Sequence, residues 1–246
     1  MKNTVLLLFL LVFLMNGQIQ GQTQGQTQGA APTNFSPSQL IVPLSLIGAG
    51  AIMTAGGNLN QSVENKFAEH RSRPYKFDDV LMYVPSAMVY GFSLFAEPKH
   101  DWWDRSMILG TSATFVLSTL IVKRAIDHER PDGSNNKSFP SGHTAVAFVG
   151  AEIVRREYPG WCGVIAYTMA SGVGFMRTYN QKHWVGDVVA GAGFGILSVS
   201  AAYWLLPVQQ RIMSRTKFRS RETAISINPY FDNEQIGLFL TVSLNR

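Results

Sequence analysis

Uncharged apolar stretches, joined by short charged connections, set the pattern of the chain. After a first apolar run at Val5 to Met15, they recur at Ser38–Asn60, Val80–Ala96, Ser106–Val122, Thr144–Ala151, Trp161–Met176 and Val188–Gln210. Apart from turns at Glu97–Arg105 and Arg155–Gly160, these stretches read as helices, so the expected fold is all-α, a bundle of about five to six apolar helices. Most fall short of the ~20 residues that cleanly span a bilayer. They are rich in Gly, Ser, Ala and Thr, which let helix backbones approach closely in a membrane, although a tight soluble bundle would use them too. The last stretch favours the membrane. It runs directly into Arg211, Arg215, Lys217, Arg219 and Arg221, opposed by Glu222 alone, a net of +4 over Gln209–Glu222. Basic residues abutting a long apolar helix are the positive-inside pattern of a cytoplasmic anchor. Beyond them, Ala224–Asn245 is rich in Ile, Phe, Leu, Val and Thr and predicts a strand-like tail of one or two short strands.

The N-terminus reads differently. Lys2 precedes the apolar run, and small or polar residues follow at Gly17 and Gly21, the layout of a secretory signal. An eleven-residue run rises only about 16 Å as helix, short of a bilayer core, although a short uncleaved anchor is the alternative. Gly-Gln-Thr-Gln then occurs twice over Gly21–Gln28, a tract that buries nothing and reads as a tether. The expected organisation is a signal peptide at 1–21, a linker at 22–37, a helical domain at 38–210, and a basic segment and tail at 211–246.

Composition narrows the class. The 246 residues suit one large domain, and the net charge of +5 comes from 21 basic and 16 acidic side chains. Charged residues are 15% of the chain, against about 25% in a typical soluble domain, and mean hydropathy is +0.05. A disordered chain and a coiled coil are excluded. The single cysteine, Cys162 in an apolar run, excludes an internal disulfide and a cysteine-based zinc cluster.

Three clusters carry chemistry. Lys123 precedes Arg130-Pro131 by seven positions, close to two helical turns, so both cations are expected on one side of a helix that Pro131 ends. Pro140-Ser141-Gly142-His143-Thr144 opens an apolar helix, whose free amides and dipole offer an anion site. Arg177 precedes His183 by six residues and His183 precedes Asp187 by four, one helical turn, which lets the carboxylate orient the imidazole. Singly, each is a solvated cation, a helix cap or a surface pair. Together they share the logic of phosphate chemistry: cations for the ester oxygens, one histidine to attack, another to protonate the leaving oxygen.

These blocks resemble the signature of the type 2 phosphatidic-acid phosphatase superfamily: Lys, six residues, Arg-Pro; Pro-Ser-Gly-His; and Ser-Arg, five residues, His, three residues, Asp. All three stand at the family's spacings, and the resemblance covers roughly Ser38 to Gln210. Met176 replaces the Ser that usually precedes the third block's Arg. The resemblance implies a phosphatase in which His183 forms a phosphohistidine, Asp187 holds its tautomer, and His143 serves as acid and then base. Lys123, Arg130, Arg177, Ser141 and the Gly142 N–H would hold the phosphate, with neither metal nor cofactor. His128 is expected to neighbour the site without taking part, and Trp102-Trp103, beside Lys99 and Arg105, to anchor a membrane interface.

The leading expectation is a lipid phosphate phosphatase of the bacterial inner membrane with its site facing the periplasm. Lipid A is the first substrate; undecaprenyl diphosphate and phosphatidylglycerol phosphate are the alternatives. The expected partners are a phosphorylated lipid and the membrane, with no nucleic acid. A soluble periplasmic acid phosphatase is the runner-up. A vanadium-dependent haloperoxidase is disfavoured by length, and a lipid-binding protein with a decayed pocket by eight intact pocket positions. Headgroup choice is assigned to loops such as Gln61–Asp79, where no code is readable.

Overall fold

The structure, a computed structural model, describes residues 36–70, 77–216, 223–232 and 235–244. The expected signal peptide and nearly all of the linker lie outside the described residues. The chain divides into two units, Met1–Pro207 and Val208–Arg246.

The first unit is a helical bundle. Helix α1 (Ser38–Gly56) carries Pro43 and ends where Gly57 takes a left-handed φ of 65° and donates to Met53 O at 3.3 Å. Helix α2 follows at Asn58–His70, so the first half of the segment expected as a headgroup loop is helical. The apolar stretch Val80–Ala96 does not form one helix. It breaks into α3 (Asp78–Leu81), α4 (Val84–Gly91) and a 3₁₀ turn (Phe92–Leu94). Pro85 has no N–H to continue an earlier helix and fits the first turn of a new one.

Helix α5 (Trp102–Ala125) starts inside the expected turn, because Asp101 caps it by accepting from Asp104 N–H at 2.8 Å. Trp102 and Trp103 are exposed at its start, whereas Arg105 turns inward and donates to Val89 O, Ser93 Oγ and Tyr158 Oη. Helix α6 (Gly142–Glu157) is central, with eleven of its sixteen residues buried. Helices α7 (Gly160–Tyr179) and α8 (Val185–Thr216) follow. Phe148, Ile153 and Val154 of α6 join Ile108, Val173, Ile196 and Val199 in the core.

Glycine lets several helix pairs touch backbone to backbone. A Cβ at Gly50 of α1 would lie 2.5 Å from Ala190 N and Gly186 O of α8, and one at Gly150 of α6 would lie 2.2 Å from Ser86 N of α4. Close approach of this kind is typical of membrane helices. Among the described residues, three helices are long and apolar enough to cross a membrane: α1, α5 and residues Val185–Met213 of α8. Their apolar windows are 17%, 22% and 72% buried, so α1 and α5 turn most of their apolar surface outward. Leu117, Leu120 and Ile121 of α5 and Ile41, Leu44 and Ile52 of α1 make up much of that surface.

The second unit holds the end of α8 and an antiparallel hairpin of β1 (Thr223–Asp232) and β2 (Gln235–Leu244), paired from Thr223↔Leu244 to Asp232↔Gln235. The strand-like tail is thus two ten-residue strands, longer than the short strands expected.

Candidate active site

The three sequence clusters converge on the turns that open α6 and α8. Lys123 stands in the last turn of α5 and donates from Nζ to Lys137 O at 3.0 Å and Ser138 O at 3.2 Å. Arg130 is not on that helix. Ile126 adopts extended geometry and stops α5 five residues before Pro131, so the two-turn argument for Lys123 and Arg130 fails. The loop after it folds back on itself instead: His128 N–H donates to Asn136 O, Arg130 N–H to Asn135 O and Ser138 N–H to His128 O. Asp132 pins this loop to the α7–α8 turn, accepting Lys182 Nζ at 2.7 Å while its own N–H donates to Gln181 O at 3.1 Å. Arg130 thereby comes close enough to Arg177 and Asp187 to feel their charges, as does Lys123.

Ser141 precedes α6 and is fully buried. Its side chain does not cap the helix; it accepts from Thr144 Oγ1 at 2.9 Å, while its N–H donates to Asp187 O at 2.9 Å. Gly142 opens the helix, and a Cβ there would meet nothing within 4 Å, so open space flanks its backbone. His143 Nε2 lies 2.7 Å from Asp79 Oδ1. Arg177, in the last turn of α7, donates from Nη1 to Asp78 Oδ2 at 2.9 Å and to Asp79 Oδ1 at 3.4 Å.

His183 is buried in the turn before α8, its N–H held by Arg177 O at 3.2 Å. Its Nδ1 is 3.7 Å from Asp187 Oδ2, an electrostatic contact longer than a hydrogen bond. Asp187 is fixed from elsewhere: Oδ2 accepts from Ser138 Oγ and from Trp184 N–H. His128 Nε2 lies 3.8 Å from Asp187 Oδ1, which places His128 beside the site as expected. Burial, with the Lys123 and Arg177 cations, pushes the His183 pKa down from 6.5 to about 4 against the opposing pull of Asp187, so the ring is neutral at ordinary pH.

Two features describe the ligand this site suits. Among the described residues, Lys123 and Arg130 form no ion pair; Lys123 and Arg177 act on the buried His183, and Arg130 stands close enough to both cations to feel their charge. Also among the described residues, the buried atoms Arg130 Nε, Arg177 Nε, His183 Nδ1, Asp187 Oδ1 and His128 Nε2 make no hydrogen bond. Orphaned polar groups gathered at one place mark a functional pocket, because burial without a partner is costly. Of the eight sequence-predicted residues, Lys123, Ser141, Gly142, His143, Arg177, His183 and Asp187 lie on or directly beside α5 to α8, and Arg130 lies in the loop after α5. Sequence reasoning missed Asp78, Asp79, Ser138 and Trp184. The adjacent acidic pair in a chain poor in carboxylates was the one available signal for the first two.

The PAP2 superfamily model matches residues 40–211. The chain belongs to the PAP2 superfamily. Among its relatives is a lipid A 1-phosphatase of Porphyromonas gingivalis, 33% identical over 150 residues that cover 58% of this chain and 33% of that protein. A lipid A 1-phosphatase of Helicobacter pylori is 26% identical over 185 residues, covering 68% of this chain and 87% of that one. The match thus spans about a third of the Porphyromonas relative's length. Among solved structures, a transmembrane PAP2-type phosphatidylglycerolphosphate phosphatase from Bacillus subtilis aligns with a TM-score of 0.45 and 22% identity, over 71% of this chain and 98% of that one. The region matched by the PAP2 model holds every residue of the site, from Asp78 to Asp187.

Proposed function

We propose that this PAP2 protein is a membrane lipid phosphate phosphatase that works without a metal through a phosphohistidine on His183. The observation that carries the reading is the gathering of Lys123 and Arg177 beside a buried, neutral His183, with Arg130 close to both cations. Cations placed where phosphoryl charge develops act most strongly in a site shielded from water. With Nδ1 facing Asp187, Nε2 is the attacking atom. Its lone pair forms the N–P bond as the bond to the leaving oxygen breaks, and His143 gives that oxygen a proton. Water then attacks phosphorus, His143 takes the water's proton, and the N–P bond breaks to release phosphate. Asp187, held by Ser138 and Trp184, balances the charge that grows on His183. Ser141 and the Gly142 N–H complete the cradle at the start of α6.

The outward apolar faces of α1 and α5 favour a lipid substrate over the soluble acid phosphatase reading. The basic residues that follow α8's apolar span favour a site on the opposite, periplasmic face of the inner membrane. The names of the two bacterial relatives support lipid A as substrate, with removal of its 1- or 4'-phosphate. Undecaprenyl diphosphate and phosphatidylglycerol phosphate are the substrates to which the assignment moves if lipid A fails. Mass spectrometry of envelope lipids from cells with and without the protein tests the choice. The expected result without it is lipid A that keeps one additional phosphate group. An unchanged lipid A spectrum beside accumulated undecaprenyl diphosphate would reassign the substrate.

A further inference from the structure

We infer that Asp79 is the positioning residue for His143, a role that rests on reading His143 as the proton donor. The pair lies near the surface, with side chains 71% and 27% exposed, and an exposed ion pair contributes little to stability. Its consequence is orientation. Asp78, the preceding residue, is buried and clamped by Arg177 Nη1 at 2.9 Å and Asn180 Nδ2 at 3.2 Å. That clamp fixes α3 against the end of α7, and Leu81 and Met82 fasten its other end to the core. Asp79 therefore stands at a set place, not on a free loop.

An ionised carboxylate only accepts, so the 2.7 Å contact requires His143 to donate its Nε2–H. This sets the ring's orientation and leaves Nδ1 to carry the transferable proton. The negative charge of Asp79 steadies the imidazolium that an acid must be before it acts. The charged groups facing His143 are Asp78 and Asp79 of α3 and Arg177 of α7. Burial and Arg177 hold the His143 pKa below its ordinary value, and the carboxylates of α3 pull against them in favour of the protonated ring. The same short helix thus ties the phosphate-binding arginine, through Asp78, to the acid, through Asp79. In the step itself the His143 proton passes to the leaving oxygen as the P–O bond breaks, and water returns one in the second half-reaction.

The test separates this role from a structural one by the leaving group. Full-length protein in detergent is assayed on p-nitrophenyl phosphate, whose phenolate departs without a proton, and on n-octyl phosphate, whose alkoxide needs one. General acid catalysis contributes ~10²–10⁴-fold. His143→Ala should therefore lower turnover of octyl phosphate far more than that of the nitrophenyl ester. Asp79→Asn should shift the ratio of the two rates in the same direction, by about tenfold. Asp79→Ala provides the same readout should the Asn variant fail to accumulate. Asp78→Asn, which loosens Arg177, should depress both substrates alike. An unchanged ratio in the Asp79 variants beside a shifted ratio in His143→Ala would overturn the role of Asp79 and leave the acid in place. An unchanged ratio in His143→Ala would overturn the acid itself, and this inference with it.

Discussion

His183 combines two properties that are hard to hold together: it is buried, and in the proposed mechanism it is a nucleophile beside the cations Lys123 and Arg177. Its depressed pKa reconciles them, because a neutral ring survives burial and keeps its lone pair. The same shift makes a stability prediction, and the residue lies in a turn outside the apolar spans. The unfolded chain binds a proton at about the ordinary 6.5, whereas the folded protein binds it only at about 4. Between these values the unfolded state carries more protons, so stability falls as pH drops from 6.5 towards 4. His183→Gln, which does not titrate, should lose less over that window when thermal midpoints are followed in detergent. Parallel losses in the two proteins would mean that His183 is not buried as a neutral ring. At this scale the sequence was most legible where spacing is short and local: His183 and Asp187 are one turn apart, and Ser141-Gly142-His143 opens a helix. It was silent where contact is long-range. Asp79 meets His143 across 64 residues and Ser138 meets Asp187 across 49, and no periodicity encodes such meetings.

Among the elements, close backbone contact is the feature most open to test. Gly150 of α6 faces the backbone of Ser86 and Pro85 in α4, and a Cβ there would stand 2.2 Å and 2.3 Å from two of its atoms. Neither is the flexible end of a side chain, so α4 as a whole must move. Overpacking of this kind costs about 1–3 kcal/mol, and Gly150→Val should lower the thermal midpoint accordingly. Gly110 of α5 is the control, since a Cβ there meets nothing within 4 Å. Gly110→Ala should leave the midpoint unchanged or raise it slightly, because alanine is the better helix former. Equal behaviour of the two variants would contradict the packing described. Helix existence was legible from uncharged runs, and helix ends were not. Val80–Ala96 looks continuous in hydropathy, but Pro85 divides it. Arg130 seemed to continue α5, but the backbone turns at Ile126 and the loop is held by hydrogen bonds that spacing does not record.

For the molecule as a whole, the apolar pattern anticipated a helical bundle, and α1 and α5 turn most of their apolar surface outward. The C-terminal hairpin was legible as strand-forming sequence, since β-branched and apolar residues alternate with Thr and Ser along it. What unites the bundle is the site at the openings of α6 and α8, to which α3, the end of α5 and the end of α7 each add a side chain. The central claim is that phosphate passes through a covalent bond to His183. Brief incubation with a phosphate-labelled substrate, an alkaline quench that preserves phosphohistidine, and peptide mapping by mass spectrometry tests it most directly. The account predicts label on His183 in the wild-type protein, a lasting signal there in His143→Ala with the nitrophenyl ester, and neither label nor turnover in His183→Ala. Full turnover in His183→Ala, or label carried by another residue, would contradict it.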